Sequence, residues 1–256
     1  MSYRKKHIKN KIHGIKPRKS IFKKLWFWAV ILFMVVISTG IYVVCFCSVF
    51  QVKDVLIYGN DKVKTQDLEE FISKGINIDL IDFLNIKISS RGIFLINKDK
   101  IEKDILEGFP VIESANVIKK LPQTLVFNVV ERRPFGVFCP ISVGGQNGGC
   151  FFIDQKGFIF DPLLKIPDNF MIVRQPAEDQ QFYAGKKIVA DNIMDAIFKI
   201  QKNMKDNFQI GLKEALIVNS SRLNIVTNEN WKIYFNLSGN SDINLQITKL
   251  EILLGS

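Results

Sequence analysis

The longest apolar stretch of the chain lies near its N-terminus and predicts a membrane helix. Residues 25 to 50 include no charged side chain, and a helix of that length extends about 39 Å against a hydrocarbon core of roughly 30 Å. Trp26 and Trp28 follow two lysines, where indole rings favour the headgroup boundary. The stretch is too long for the apolar region of a signal peptide and ends without a small-residue cleavage site. It therefore favours an uncleaved anchor.

The region after this stretch alternates between strand and helix patterns. An apolar, β-rich segment from Val52 to Tyr58 ends at Gly59 and predicts a strand. Two stretches with apolar side chains at helical spacing follow, and the polar residues before them, Thr65 and Asn97, are the expected N-caps. Between these helices, residues 76 to 96 are rich in isoleucine, leucine and phenylalanine without a clear period. No element is assigned there.

Two further strands complete this first region. The segments from Ala115 to Lys120 and from Leu125 to Glu131 are separated by Leu121-Pro122-Gln123-Thr124, which reads as a short loop. Apolar residues at alternate positions of the second strand share one face; they are Leu125, Phe127 and Val129. The predicted order is β-α-α-β-β.

The second half of the chain carries two predicted hairpins. Two apolar, aromatic segments flank Asp154-Gln155-Lys156-Gly157, where the glycine can supply the positive φ that the turn requires. Residues 222 to 227 and 231 to 237 alternate cleanly on either side of Asn228-Glu229-Asn230. This alternation predicts the second hairpin.

Two amphipathic helices and one more strand are predicted around the second hairpin. Asp191 and Ser241 precede apolar side chains at helical spacing and are the expected N-caps of these helices. The segment from Glu214 to Val218 has the pattern of a strand. We expect both helices to pack on one sheet.

The positive charge of the chain is confined to its N-terminus. The sequence has a formal net charge of +10, and residues 1 to 24 hold ten lysines and arginines and no acidic residue. The remaining residues have 25 cations and 25 acids. A basic tail next to an apolar helix is typical of the cytoplasmic side of a membrane, where it also meets anionic lipid headgroups. The charge therefore does not indicate a nucleic-acid partner.

The chain offers few side chains for catalysis or metal binding. Its histidines, His7 and His13, both lie in the basic tail, so no histidine activates a cysteine in the outer portion as a cysteine transpeptidase requires. Cys139 and Cys150 have no neighbouring soft ligands to complete a zinc site. They bracket a glycine-rich loop, and an extracytoplasmic location permits either a disulfide or two free thiols.

Four motifs occur in an order that resembles a known family. They are Val55-Leu56-Ile57-Tyr58-Gly59-Asn60, Phe109-Pro110-Val111-Ile112-Glu113-Ser114-Ala115-Asn116-Val117, Leu121-Pro122-Gln123-Thr124-Leu125 and Glu131-Arg132-Arg133-Pro134. Behind an N-terminal anchor, they resemble the POTRA domain of the bacterial cell division proteins called FtsQ or DivIB. The resemblance extends over about residues 25 to 254. Arg132 and Arg133 themselves are expected to be solvated charges.

The resemblance implies an α+β fold behind a single transmembrane helix. We expect a basic cytoplasmic tail (residues 1–24), a transmembrane helix (25–50), a POTRA domain (51–133) and a β-domain (134–256) with helices packed on an antiparallel sheet. The sequence departs from the family in two places. Residues 76 to 92 are longer than the usual loop, and the sequence ends at Ser256, where the family continues into another strand.

The function that the resemblance implies is that of a non-catalytic scaffold. Such a protein sits in the cytoplasmic membrane, reaches the division septum and links early and late division proteins through extracytoplasmic contacts. The expected partners are membrane division proteins, among them small coiled-coil proteins of the FtsB and FtsL type, together with membrane lipid. No cofactor, metal, nucleic acid or small-molecule substrate is expected.

The expected partner-binding residues lie on two strands. They are Val117 and Lys119 on the second POTRA strand, and Tyr234 with Phe235 on the last strand, although Phe235 also suits a core position. Two other functions remain open. The chain is alternatively a POTRA scaffold for envelope assembly or secretion, or an anchored enzyme with an unrecognised serine or carboxylate site.

Overall fold

The first element of the structure is a long, exposed apolar helix. The structure, a computed structural model, describes residues 24–83, 86–142, 149–177, 181–239 and 241–255; the basic tail up to residue 23 and Ser256 lie outside these ranges. Helix α1 spans Leu25–Phe46, and none of its residues is buried against the rest of the protein. Among the described residues it is the one helix long and apolar enough to cross a membrane.

Helix α1 ends four residues before the end of the uncharged run. Cys47 leaves the helix with an extended backbone, because the chain from residue 50 pairs with a later segment. The Ile93 N–H donates to the Phe50 carbonyl at 2.8 Å, and the Val52 N–H donates to the Arg91 carbonyl at 3.0 Å. The prediction that the helix continues to Phe50 is therefore wrong.

The next elements form a small α+β domain that has the predicted β-α-α-β-β order with two extra strands, β2 and β3, inserted between its helices. They are β1 (Asp54–Tyr58), α2 (Thr65–Ile76), β2 (Ile78–Phe83), β3 (Ile86–Ser90), α3 (Lys98–Gly108), β4 (Ile112–Lys120) and β5 (Thr124–Glu131). The sheet order is β1-β5-β4. Strand β1 runs parallel to β5, and β4 runs antiparallel to it.

Helices α2 and α3 cover one face of this sheet. Leu125, Phe127 and Val129 on β5 are buried, as their alternation predicts. They share a core with the apolar faces of both helices. This burial sets the register of the sheet, because a slip by one residue would turn these side chains to water.

One of the two predicted caps in this domain is correct. The Asn97 side chain accepts a hydrogen bond from the Lys100 N–H at 3.1 Å and caps α3. Thr65 is instead the first residue of α2, whose N-cap is Lys64. The Thr65 hydroxyl is turned away to accept from Asn60 Nδ2 at 2.9 Å.

The unassigned residues between the two helices form a separate antiparallel hairpin. Strands β2 and β3 pair with each other and with no other described strand.

The remaining chain forms a seven-stranded sheet with two helices. Its elements are β6 (Gly136–Ser142), β7 (Cys150–Ile153), β8 (Ile159–Leu163), β9 (Ile172–Ala177), α4 (Asp191–Phe208), β10 (Leu212–Asn219), β11 (Arg222–Thr227), β12 (Lys232–Asn236) and α5 (Ile243–Gly255). The strand order is β12-β11-β10-β9-β6-β7-β8. Both predicted hairpins and the predicted strand β10 are present.

This sheet is mixed, whereas the sequence predicts an antiparallel one. Strand β9 runs parallel to both β6 and β10. The connection from β9 to β10 contains α4, and such a crossover returns the chain to start its next strand in the same direction. The antiparallel pairs are β6–β7, β7–β8, β10–β11 and β11–β12.

Both helices contribute to the core of the second domain. The predicted apolar face of α4 is buried and consists of Ile193, Ala196, Ile197, Ile200 and Met204. The predicted face of α5 packs against the same core through Ile243, Ile247, Leu250 and Leu254.

Neither predicted N-cap of these helices is correct. Asp191 is the first residue of α4, and its carboxylate accepts from Lys187 Nζ at 2.6 Å. The Ser241 hydroxyl lies 2.7 Å from the Ser238 carbonyl oxygen. Helix α5 is capped one residue later, because Asp242 Oδ1 accepts from the Asn244 N–H at 2.8 Å.

The turn between β7 and β8 forms as predicted. Gly157 has φ +82°, and a Cβ at this position would lie 2.3 Å from the Val189 carbonyl oxygen. Asp154 Oδ1 accepts from the N–H groups of Lys156 and Phe158, each at 2.9 Å. The aspartate thus fixes the turn that the glycine permits.

Cys139 and Cys150 form a disulfide between neighbouring strands. Their Cα atoms lie 4.5 Å apart, and 11 positions separate them in sequence. They continue the β6–β7 register, in which Phe138 is opposite Phe151. Of the two states that the sequence leaves open, the structure has the bridged one.

Removing this bridge should destabilise the second domain. We expect the Cys139→Ser, Cys150→Ser variant to lose roughly 2 to 3 kcal/mol of unfolding free energy, since a short closed loop no longer restricts the unfolded chain. Denaturant titration of the full chain in detergent measures this loss, with Cys45→Ser, Cys47→Ser as the matched control. Equal midpoints for the two variants would contradict this prediction.

Candidate partner-binding edges and the domain junction

The first candidate binding edge is the outer side of β4. This strand is the last in the order β1-β5-β4, so one side of its backbone has no strand partner. The Val117 N–H donates to Glu102 Oε1 of α3 at 2.8 Å. Since ladder hydrogen bonds alternate along an antiparallel pair, Val117 and Lys119 both direct their backbone groups to the open side.

The side chains of these two residues differ in access. Val117 is fully buried in the domain core, so its side chain has no surface to offer a partner. Lys119 is half-buried; burial, followed by the nearby charge of Lys98, lowers the pKa of its ammonium group. Lys119 therefore remains the side chain for a partner here, whereas the outward N–H of Val117 is already bound by Glu102.

The second candidate edge is the outer side of β12, the end strand of the large sheet. The Leu237 N–H donates inward to the Ser221 carbonyl at 2.8 Å. By alternation, residues 232, 234 and 236 point their backbone groups away from β11. Helix α5 covers one of these positions. The Asn236 backbone N–H donates to Gln246 Oε1 at 2.9 Å, and the Asn236 carbonyl accepts from Gln246 Nε2 at 2.7 Å.

Tyr234 and Phe235 lie on opposite faces of this edge strand. Phe235 is 3% exposed and belongs to the core, so its side chain does not reach a partner in the folded protein. Tyr234 is 60% exposed, and the Arg222 guanidinium lies over its ring at 5.4 Å. Tyr234 combines an accessible aromatic ring with outward backbone groups, as an edge-binding residue requires.

The four predicted residues do not form one site. Val117 and Lys119 belong to the three-stranded sheet, whereas Tyr234 and Phe235 belong to the seven-stranded sheet. Across the described residues, no three side chains of histidine, cysteine, aspartate or glutamate come together as a metal site. What these two edges offer is backbone pairing and protein contacts.

The junction between the domains is held by a buried ion pair. Arg132 is 8% exposed, and its Nη1 donates to Asp154 Oδ2 at 2.5 Å. Its Nε donates to the Pro110 carbonyl at 3.1 Å, and the guanidinium lies 4.4 Å from the centre of the Phe158 ring. Arg132 thus joins the end of β5 to the β7–β8 turn, and the prediction that it is solvated is wrong. Arg133 is exposed, as predicted.

Glu131 fixes the loop after β1. Its carboxylate accepts from the backbone N–H groups of Asp61, Lys62 and Val63, each at 2.9 Å. Lys156 Nζ lies 2.8 Å from Glu113 Oε1 across the same junction, and this contact raises the pKa of the lysine. The contacts of Glu131 and Arg132 show that the Glu131-Arg132-Arg133-Pro134 motif has a structural role at the end of the first domain.

Sequence reasoning missed the role of Arg132 because its partner Asp154 is 22 residues away. The sequence does show an arginine at the end of a predicted strand and an aspartate at the start of a predicted glycine turn, and these two features could have suggested the ion pair. Their contact depends on how the two domains meet, which neither local pattern specifies.

Comparison with known proteins agrees with this architecture. Residues 50–132 match the family described as POTRA domain, FtsQ-type. No curated protein matches the chain at a significant level. The matched residues include all of β1 to β5, together with Glu131 and Arg132.

Proposed function

We propose that this chain, whose residues 50–132 form an FtsQ-type POTRA domain behind an apolar helix long enough to cross a membrane, is a non-catalytic scaffold of the bacterial division machinery. The family match is the observation that carries the proposal. In this role the protein links early and late division proteins at the septum. Its POTRA domain helps to recruit it, and its β-domain holds further membrane partners.

The proposed orientation follows from charge. Ten cations and no acid precede α1, and the rest of the chain is balanced. The positive-inside rule places the basic tail in the cytoplasm and both folded domains outside. A disulfide between Cys139 and Cys150 suits that location, because the cytoplasm keeps most thiols reduced.

The proposed contact with a small coiled-coil partner of the FtsB or FtsL type uses the β12 edge. An exposed strand edge accepts an extended segment by β-augmentation, in which backbone hydrogen bonds give affinity and alternate side chains give specificity. Lys232 and Tyr234 direct their backbone groups outward, and Gln246 limits how far the added strand can extend. The exposed Tyr234 ring provides the side-chain contact.

Tyr234 allows a direct test of this contact. Proline at position 234 removes the outward N–H but leaves the inward hydrogen bonds of Ile233 and Phe235 in place, and proline is tolerated on the open side of an edge strand. We expect Tyr234→Pro to reduce the amount of coiled-coil division protein captured from cross-linked membranes of its own cells about tenfold. Tyr234→Phe keeps the backbone donor and is the matched control.

The composition of the captured material separates the two scaffold functions. The proposal is supported if the wild-type chain captures division proteins and the Tyr234→Pro variant does not. Undiminished capture by Tyr234→Pro would contradict binding through this edge. Capture of unfolded envelope proteins instead of division proteins would favour the envelope-assembly alternative.

A further inference from the structure

The three-stranded sheet of the POTRA domain has a second face, opposite the one on which α2 and α3 pack. The helix side carries Leu125, Phe127 and Val129 of β5. Since successive side chains of a strand point to opposite faces, the residues between these three point away from both helices. The open face is therefore formed by positions 54, 56 and 58 of β1, positions 124, 126 and 128 of β5, and positions 116, 118 and 120 of β4.

An apolar row crosses the middle of the open face. Leu56 on β1 pairs with Val126 on β5, and Val126 pairs with Ile118 on β4. The two outer side chains, Leu56 and Ile118, are 41% and 40% exposed, and Val126 between them is only 4% exposed. Large apolar side chains that lie exposed side by side mark a surface for contact with another molecule.

A charged row lies beside the apolar one. Asp54 on β1 pairs with Thr124 on β5, and Thr124 pairs with Lys120 on β4. Both charged side chains are exposed, and they lie on the two outer strands of the sheet. The open face thus has an acid at one side, a cation at the other and apolar side chains in the middle. Such a pattern is complementary to itself.

We propose that the open face binds the open face of a second copy of this chain. A two-fold axis that runs parallel to β5 between the two sheets brings β1 of each copy opposite β4 of the other. Asp54 then lies opposite Lys120 of the second copy, and Leu56 lies opposite its Ile118. The axis generates each contact twice, so the interface contains two ion pairs around an apolar centre. Sheets packed face to face lie about 10 Å apart, a gap that interdigitating side chains fill.

The third row of the open face selects this arrangement over its alternative. Tyr58 pairs with Asn128, and Asn128 pairs with Asn116. The proposed axis brings Tyr58 opposite Asn116 of the second copy, where a hydroxyl and an amide can form a hydrogen bond. An axis perpendicular to the strands would instead bring Asp54 opposite Tyr58 and Lys120 opposite Asn116. Neither charge would then meet an opposite charge across the interface.

The membrane anchor favours the same arrangement, and to this extent the inference rests on the membrane span of the proposed function. The strands of both copies run in the same direction about the proposed axis, so α1 enters both domains from the same side. Two chains anchored in one membrane require this. The open face measures only about 14 Å by about 17 Å, which is small for a stable interface. Because anchoring in one membrane raises the effective concentration of the two copies, we expect the dimer in membranes.

Cross-linking in membranes tests whether the open faces meet. Asn128 lies on β5, next to the proposed axis, so position 128 of one copy faces position 128 of the other. The full chain with Cys45→Ser, Cys47→Ser and Asn128→Cys is reconstituted in phosphatidylcholine vesicles and treated with a short bismaleimide. Lys103→Cys in the same background, at an exposed position of α3, is the matched control.

Position 128 should give about fivefold more covalent dimer than position 103. Equal yields from the two positions would overturn the proposal. This outcome is distinct from failure of the division role, because cells that divide normally without the protein would contradict the scaffold function and leave the cross-linking result unchanged.

Two charge reversals test the register of the dimer. Asp54→Lys places two cations opposite each other, and Lys120→Asp places two acids opposite each other. Either change alone should lower the dimer yield from position 128 about fivefold. The two changes together restore opposite charges and should restore the yield, which damage to the fold would not do. Single variants that keep the original yield, or a double variant that stays as low as the single ones, would overturn the proposed pairing.

The unmodified chain gives a second measurement that does not depend on a variant folding correctly. Equal amounts of isotope-labelled and unlabelled chain are reconstituted together and treated with a carbodiimide, which joins a carboxylate directly to an amine. Linked peptides that contain Asp54 from a labelled chain and Lys120 from an unlabelled chain would support the dimer. The absence of such mixed links would contradict it.

Discussion

Replacing Arg132 with alanine should lower the unfolding free energy of the chain by about 3 to 5 kcal/mol, the usual cost of removing one partner from a buried ion pair. The change leaves Asp154 buried without its cation and removes the hydrogen bond to the Pro110 carbonyl. It also removes the guanidinium from the Phe158 ring. Denaturant unfolding of the full chain in detergent, followed by circular dichroism, measures the loss.

Arg133→Ala is the matched control for this prediction. Arg133 is adjacent in sequence but exposed, so its replacement should change the unfolding free energy by about 0.5 kcal/mol or less. If the two alanine variants unfolded at the same denaturant concentration, Arg132 could not be the residue that joins the domains.

Gly59→Ala should destabilise the POTRA domain by about 2 to 4 kcal/mol, through both a strained backbone and a steric clash. Gly59 has φ +87°, and a Cβ there would lie 2.1 Å from the Val129 carbonyl oxygen of β5. The backbone of β5 cannot yield without losing its pairing with β1. The loss is measured by the same denaturant titration.

Gly75→Ala tests whether this effect depends on position. Gly75 lies in α2, and a Cβ there meets nothing within 4 Å. Alanine favours helix over glycine by roughly 0.5 to 1 kcal/mol, so this variant should be as stable as the wild type or slightly more stable. If the Gly59→Ala variant were as stable as the wild type, the turn after β1 would tolerate a side chain, which would contradict this prediction.

Much of the fold was predictable because local patterns and burial agree. Alternation on β5 places Leu125, Phe127 and Val129 in the core, and Asn97 caps α3 as its position indicates. The two hairpins form where their turn residues predict them. In each case a sequence signal of a few residues suffices.

The wrong cap assignments have a common cause. Thr65, Asp191 and Ser241 each have a competing polar partner nearby in the fold. Each helix begins one residue away from the predicted position. The parallel pairing of β9 depends on the path of α4 between sheet strands. Sequence patterns of single elements do not contain that information.

The candidate binding edges were predicted only in part, because the position of a strand at the edge of a sheet depends on the tertiary fold. The sequence correctly assigns Val117 and Phe235 to strands and shows that Phe235 suits the core, but it does not show that Val117 faces inward. Both are buried, whereas Lys119 and Tyr234 retain access. The β2–β3 hairpin was missed because the bulge near Leu80 breaks the period that a strand prediction needs.

Depletion of the protein in its own cells tests the proposed role in division most directly. If the chain is a division scaffold, cells that lose it should continue to grow and segregate their nucleoids but fail to constrict, and should form long filaments. Restoring the wild-type chain should restore constriction. Cells that divide at normal length after complete loss of the protein would contradict the central claim.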